Sequence, residues 1–322
     1  NVDHLVEVLK DLKKIPGPKI LHCLTVKGKG FDLAEKDQTK WHAPGLFDKI
    51  TGEAFKKSGG TASYTKIFGE AMVEICKGND KVVGITAAMP DGTGLDILQE
   101  AMPERFFDVG IAEQHAVTFA AGLATEGFTP VVAVYSTFLQ RAFDQIIHDV
   151  ALQHLSVIFV MDRAGLVGSD GPTHHGVLDL SYFRCIQGAV IMAPMDEIEL
   201  RNMLYTATLY KKGPVAIRYP RGNCYGLEIQ PFEKIEIGKG EIIETGKDVA
   251  ILAVGTMTKM ALDARKQLAF EGIDIEVINI RFVKPLDGKL LTDVFNRHSK
   301  VITIEDNSIV GGFGSAVLEF MN

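Results

Sequence analysis

Four short stretches hold the residue types that do acid–base or anion chemistry. The densest is 162–176, DRAGLVGSDGPTHHG, with four glycines, two adjacent histidines, Arg163 and Asp170. Glycines let a backbone approach a ligand closely, and histidines supply acid–base groups near neutral pH. A lone histidine is more often a structural hydrogen-bonding group, but this concentration in one loop favours a site. Two adjacent histidines without a third ligand nearby do not match metal-centre spacing, so no metal ligand is expected in this chain. A second stretch, DVGIAEQHA (108–116), places Glu113 at a helix start, where the macrodipole favours a carboxylate by ~0.3–1 kcal/mol. That position suits ordinary helix-terminal charge, or a carboxylate held to exchange a proton with a ligand nitrogen. In the third, YSTFLQRAFDQ (135–145), Phe138 and Arg141 lie three apart and share a helix face. Phe138 also fits an apolar stripe continued by Phe143, Ile146, Ile147 and Val150, whereas Arg141 does not and calls for an anion. The phenol of Tyr135 can reach the same place. The fourth, IRYPRGN (217–223), adds Arg218 and Arg221. In a chain of net charge −7, Arg141, Arg163, Arg218 and Arg221 at strand ends point to a local phosphate or carboxylate site. The alternative is a solvated edge.

These loops work together only if a scaffold gathers them. From Ser63 to Tyr219 apolar strands alternate with amphipathic helices: KVVGITAA, PVVAVYS, SVIFVMD, AVIMAP and PVAIRYP read as strands. The segments 63–77, 112–127, 138–153 and 197–210 read as helices. Apolar strands separated by helices predict an α/β fold, a parallel sheet covered on both faces, with ligands outside the carboxyl ends of the strands. A polar stretch near 222–234 marks a boundary. Beyond it VAILAVG, a helix near 257–271, DIEVINIRFV, a turn at 284–287, VITIEDN and a last helix behind Gly311–Gly314 form a second, smaller α/β domain. Ahead of Ser63, residues 2–14 read as a helix, KILHCLTV (19–26) as a short buried strand, and 27–63 as an irregular functional loop or linker. His148 and His154 read as structural.

Composition bounds the function classes. The 322 residues predict about two domains at roughly 150 residues each. The acidic balance argues against a nucleic-acid or anionic-membrane surface, and no apolar run reaches the ~18 residues of a membrane span. Cys23, Cys76, Cys185 and Cys224 are scattered and form no CxxC, which predicts a reducing, cytoplasmic setting. Residue 1 is Asn and the chain stops inside the helix-like AVLEFMN, so a piece of a longer protein is expected.

With those loops in place, the sequence resembles the 1-deoxy-D-xylulose-5-phosphate synthase family, thiamine-diphosphate enzymes of the transketolase superfamily. The matching strings are TVKGKGFxxAEKD (25–37), AAMPDGTGL (87–95), FFDVGIAEQHAVTFAAGLA (106–124), YSTFLQRAFDQ, DRAGLVGSDGPTHHG and RYPRGN. The resemblance implies a parallel-sheet pyrimidine-binding domain of the thiamine-diphosphate-binding fold, followed by a smaller transketolase C-terminal α/β domain. It implies the division 1–57 (end of a diphosphate-binding domain with its active-site loop), 58–223 (pyrimidine domain), 224–234 (linker) and 235–322 (C-terminal domain). Glu113 then matches the glutamate that contacts N1′ of the aminopyrimidine. Phe138 matches the ring that stacks on it, with Ile111 beside them. Tyr135, Arg141, Asp170 and Arg221 match positions holding the acceptor, with Arg163 close by, and His174 and His42 match histidines that transfer protons.

The implied reaction joins pyruvate to D-glyceraldehyde 3-phosphate with loss of CO₂, giving 1-deoxy-D-xylulose 5-phosphate. It opens non-mevalonate isoprenoid synthesis and feeds thiamine and pyridoxal synthesis. A homodimer and Mg²⁺ are implied too. The Mg²⁺ ligands belong to a GDG…N segment expected ahead of residue 1, so the chain alone is expected to hold half a cofactor site and to be inactive by itself. Two other readings stand beside this one. The β subunit of a 2-oxo acid dehydrogenase E1 component has similar length and domains, but needs no 57-residue preceding tail and carries no DGPTHHG. A catalytically inactive dimerising fragment is the non-enzyme reading.

Overall fold

The computed structural model describes residues 1–38, 40–41, 44–55 and 60–322. The chain divides into two units, Asn1–Gly60 and Thr61–Asn322. In the first, the expected helix runs Val2–Leu12, its start capped by the Asn1 side chain accepting from the Asp3 amide at 2.9 Å. None of its residues is buried. The expected strand at 19–26 is corrected: the segment is exposed and irregular. A strand needs a neighbour to take its backbone groups, and no described residue of this unit pairs with it. Further along, Phe31, Trp41 and Phe47 form a small aromatic cluster with centroids 4.6–6.3 Å apart.

The second unit contains eleven strands among its described residues. They are β1 (Val82–Thr86), β2 (Phe106–Asp108), β3 (Thr129–Tyr135), β4 (Ile158–Asp162), β5 (Val190–Met192) and β6 (Val215–Arg218), then β7 (Glu241–Glu244), β8 (Val249–Ala253), β9 (Ile275–Asn279), β10 (Phe282–Lys284) and β11 (Val301–Ile304). A seven-stranded sheet has the order β10-β5-β6-β4-β3-β1-β2, parallel except for β10. A four-stranded sheet has the order β11-β8-β9-β7, with β7 antiparallel.

Alternation along the central strands explains the two covered faces. Val131 and Ala133 of β3 and Ile158 and Val160 of β4 pack with helices Tyr64–Gly78 and Glu197–Leu209. Their neighbours Val132, Val134, Phe159 and Met161 face the opposite way, onto helix Glu113–Thr125 and the buried Ile146 and Val150. Both sheet faces are dry, so these strands read as continuous apolar runs.

Two expectations are corrected here. The single helix expected at 138–153 is a succession of short helical pieces, with a tight 3-10 turn at Gln140–Ala142 and a wide π turn at Ile146–Ala151. Burial of Leu139, Ala142, Ile146 and Val150 keeps the run helical in spacing, while the tight turn brings Arg141 to a buried carboxylate. The strand expected at 274–283 splits. Arg281 turns the chain at φ +58 and donates to Glu199 and Glu241, so β9 stays in the small sheet while β10 crosses to β5. The helix Gly288–Arg297, the turns at 90–101 and the short strands β2 and β7 were not foreseen.

Candidate active site

At the carboxyl end of β2, Asp108 Oδ1 accepts from the amides of Ala88 (2.8 Å) and Gly110 (2.9 Å), tying this strand end to that of β1. The chain then turns and begins helix Glu113–Thr125, whose N-cap Ala112 offers no side-chain acceptor. Glu113 is its first residue and is only 4% exposed. Burying a carboxylate costs several kcal/mol unless a partner compensates. Arg141 is that partner: its Nη1 donates to Glu113 Oε1, and its guanidinium lies 4.7 Å from the centre of the Phe138 ring.

Beside this pair stands an aromatic group. Tyr135 ends β3 directly opposite Asp162, which ends β4. The Tyr135 and Phe138 rings stack with centroids 5.7 Å apart, and His174 meets Phe138 edge-on at 5.2 Å. Arg163 lies 3.9 Å over the Tyr135 ring and donates to the Gly92 carbonyl at 2.5 Å. Burial pushes the Tyr135 hydroxyl up to about 12, with Arg163 opposing the rise. Gly92 is required by close approach, because a Cβ there would overlap the Tyr135 hydroxyl.

An ionic run continues from Arg163. Its Nη1 lies 3.1 Å from Asp162 Oδ1 and its Nε 3.6 Å from Asp170 Oδ2. Asp170 Oδ1 is in turn 2.6 Å from Arg221 Nη1, which also donates to Ser169 Oγ at 2.8 Å. Asp162 is fully buried and accepts from Thr65 Oγ1 at 2.6 Å. Burial drives its carboxyl up to about 6, although Arg163 and Thr65 pull it down. The glycine-rich loop is closed by reciprocal amide–carbonyl bonds of 2.8 Å between Gly165 and Gly176. Gly165 (φ +73) also has no room for a Cβ beside Asp306. His175 Nδ1 accepts from the Val167 amide at 3.1 Å and pins the loop, which leaves His174 to face the aromatic group.

Eight of the residues singled out in the sequence therefore form one chain of contacts: Glu113, Arg141, Phe138, Tyr135, His174, Arg163, Asp170 and Arg221. Ile111 is 83% exposed in the turn ahead of Glu113. His42 lies outside the described residues. Arg218 is a correction to the expected cluster of anion-binding arginines. It is buried, both oxygens of Asp179 accept from its Nε at 3.0–3.1 Å, and Asp306 accepts from its Nη1 at 2.6 Å. Its charge is consumed internally because it lies beneath the loops and not at their tips. Sequence reasoning missed Asp162, Thr65 and Gly92. A lone Asp closing the apolar strand SVIFVMD was the available signal for the first.

The donor set suits two ligand chemistries. Glu113, linked through Arg141 to the Phe138 ring, fits a planar ring with a protonatable nitrogen, and Arg141 and Arg221 fit an anion. Among the described residues, no group of three or more His, Cys, Asp or Glu side chains is placed to hold a metal ion. None of the described helices is long and apolar enough to cross a membrane.

Comparison with known proteins follows the same layout. Residues 60–225 match the family model of the transketolase pyrimidine binding domain, and residues 238–322 that of the transketolase C-terminal domain. The 1-deoxy-D-xylulose-5-phosphate synthase of Cytophaga hutchinsonii is 56% identical over 100% of this chain and 51% of its own length. Those of Aquifex aeolicus and Gloeobacter violaceus are 54% and 53% identical over 99% of this chain, covering 51% and 50% of their own lengths. The chain thus spans about half the length of the curated relatives it matches. Among solved structures, a split-gene transketolase described as an inactive β4 tetramer aligns at TM-score 0.74 and 34% identity, over 81% of this chain and 86% of that one. A Pichia stipitis transketolase aligns at TM-score 0.66 and 18% identity, over 80% of this chain and 40% of its own, a likeness of fold.

Proposed function

Because the chain belongs to the transketolase family, through its pyrimidine-binding and C-terminal domains, we propose that it forms half of a 1-deoxy-D-xylulose-5-phosphate synthase. The whole protein condenses pyruvate with D-glyceraldehyde 3-phosphate and releases CO₂. The observation that carries this reading is the single contact chain from Glu113 to Arg221 at the carboxyl ends of the strands. The identity of 50–56% to named synthases over essentially the whole chain supports it. The division 1–57, 58–223, 224–234 and 235–322 belongs to the same proposal. A β subunit of a 2-oxo acid dehydrogenase E1 component shares the length and domains, but the identity of 53–56% to named synthases over essentially the whole chain favours the synthase.

Glu113, Phe138 and Ile111 would hold the pyrimidine half of thiamine diphosphate, with its Mg²⁺ supplied from outside this chain. When bound, that cofactor supplies the carbon nucleophile and the sink for the electron pair released on decarboxylation. The chain's own residues do the rest. Glu113, shielded from water, holds a proton at the ring nitrogen. Phe138 fixes the plane of the ring. Arg141 and Arg221 take the acceptor's phosphate, and Tyr135 and Asp170 orient its hydroxyls. Arg163, pinned by Gly92 and stacked on Tyr135, positions both of those groups. His174 moves the proton at the acceptor carbonyl, and a proton-transfer role for His42 belongs to the same proposal. A homodimer in a cytoplasmic setting completes the reading.

The test uses the whole protein with pyruvate, D-glyceraldehyde 3-phosphate, thiamine diphosphate and Mg²⁺. Mass spectrometry should detect a five-carbon ketose phosphate and CO₂. Glu113→Ala should lower the rate by about 10²–10⁴-fold with folding preserved. Absence of the ketose phosphate from the unaltered protein overturns the assignment.

A further inference from the structure

Arg141 has two tasks in one site. It compensates the buried charge of Glu113, and on the reading above it also receives the acceptor's phosphate. A guanidinium already neutralised by a carboxylate offers a dianion little net attraction, and the carboxylate itself repels that dianion. We propose that Arg141 changes partner. It caps Glu113 while the pyrimidine subsite is open, and it passes to the phosphate of the acceptor once a protonated ring nitrogen takes the carboxylate. Occupancy of one subsite thereby raises affinity at the other. This rests on the roles proposed above for Glu113 and Arg141.

The geometry identifies which partner moves. The Glu113 side chain is 4% exposed and fixed in the first turn of a long helix, whereas the Arg141 side chain is 52% exposed and leaves a tight 3-10 turn. Its guanidinium lies over the face of Phe138, a surface along which a planar cation shifts without losing its cation–π contact. His174 borders that ring on its edge, and the Tyr135–Arg163–Asp170–Arg221 run continues beyond it. Leaving Glu113 buried and unpaired is costly, so Arg141 is held until another cationic donor replaces it. The coupling must be reciprocal: the acceptor's anion strengthens cofactor binding by the factor with which the cofactor strengthens the anion's.

Two measurements test this. On the 322-residue chain, calorimetry reads the affinity for inorganic phosphate and glycerol 3-phosphate, with glycerol as the phosphate-free control and circular dichroism verifying the fold. Glu113→Gln should tighten both anions by about fivefold or more, and Glu113→Gln/Arg141→Gln should abolish the gain. No gain in the single variant, or a gain that survives in the double variant, overturns the exchange. On the whole protein, glycerol 3-phosphate should tighten thiamine diphosphate by a similar factor, and Arg141→Gln, its fold verified by circular dichroism, should remove that effect. Independent binding in this second arm also overturns the exchange. It leaves the proposed reaction standing if the ketose phosphate is still formed, so the two readings fail separately.

Discussion

Asp162 closes β4 beside the site, and its burial makes it one source of pH-dependent stability. Burial raises its carboxyl from the ordinary 3.8 to about 6. Between those values the folded chain binds more protons at this residue than the unfolded chain does. Stability from this group is therefore highest below about pH 4, falls as pH rises through the window, and stays lower above it. A shift of that size corresponds to about 3 kcal/mol. Urea unfolding at pH 4 and pH 7 should show a larger loss of stability in the wild-type chain than in Asp162→Asn. Equal losses in both would remove Asp162 as the source. The cost is tolerated because Asp162 holds Thr65 Oγ1 at 2.6 Å and lies 3.1 Å from Arg163, the residue on which Tyr135 rests.

The short helical turn Pro90–Thr93 matters because of what it touches. Helix propensity by itself favours alanine over glycine at position 92. A methyl there overlaps the Tyr135 hydroxyl, however, and lies 2.8 Å from the ring carbon that bears it. Gly92→Ala should cost about 1–3 kcal/mol through overpacking, read as a lowered urea midpoint. Adding Tyr135→Phe should recover part of that loss by removing the overlapped oxygen. If the double variant is no more stable than Gly92→Ala, the clash is not the cause. The neighbouring glycine-rich loop follows similar logic. One histidine, His175, is spent on pinning the loop, which frees the other to face Phe138.

Across the second unit, the large and small sheets are joined by more than a linker. β10 leaves the small sheet's segment to pair with β5. Arg218, at the end of β6, bonds Asp179 ahead of it in sequence and Asp306 far beyond it. Asp179 and Arg218 are both buried, so removing one partner strands the other charge. Arg218→Met should lower stability by about 3–5 kcal/mol, measured by denaturant unfolding. A change below 1 kcal/mol would mean that Asp179 and Asp306 find other partners. Even the polar stretch after Asn223 is tied down, since the Glu197 carboxylate accepts from the amides of Tyr225, Gly226 and Leu227 at 2.6–3.2 Å.

Local chemistry made much of this legible in the residues alone. Apolar runs broken by amphipathic helices specify a parallel sheet, and a parallel sheet specifies where its loops gather, so Glu113, Tyr135, Phe138, Arg141 and the Asp170–His174 loop could be named as one region from sequence. Pairing is different, because it depends on which strand lies beside which. Nothing in the spacing of Arg141, Arg163, Arg218 and Arg221 distinguishes a guanidinium buried between two aspartates from one left half-exposed over a phenyl ring. The same limit applies to 19–26, whose apolar residues suit a strand but find no neighbour among the described residues of their unit, and to 274–283, which one positive-φ residue divides between two sheets. The sequence determined the composition of the candidate site and its position at the strand ends. The tertiary structure decided which charges were already spent, and by burying Arg218 between Asp179 and Asp306 and seating Arg141 on Glu113 it gave the four arginines distinct parts. Burial and partnership are properties of distant segments brought together, and no local pattern encodes them.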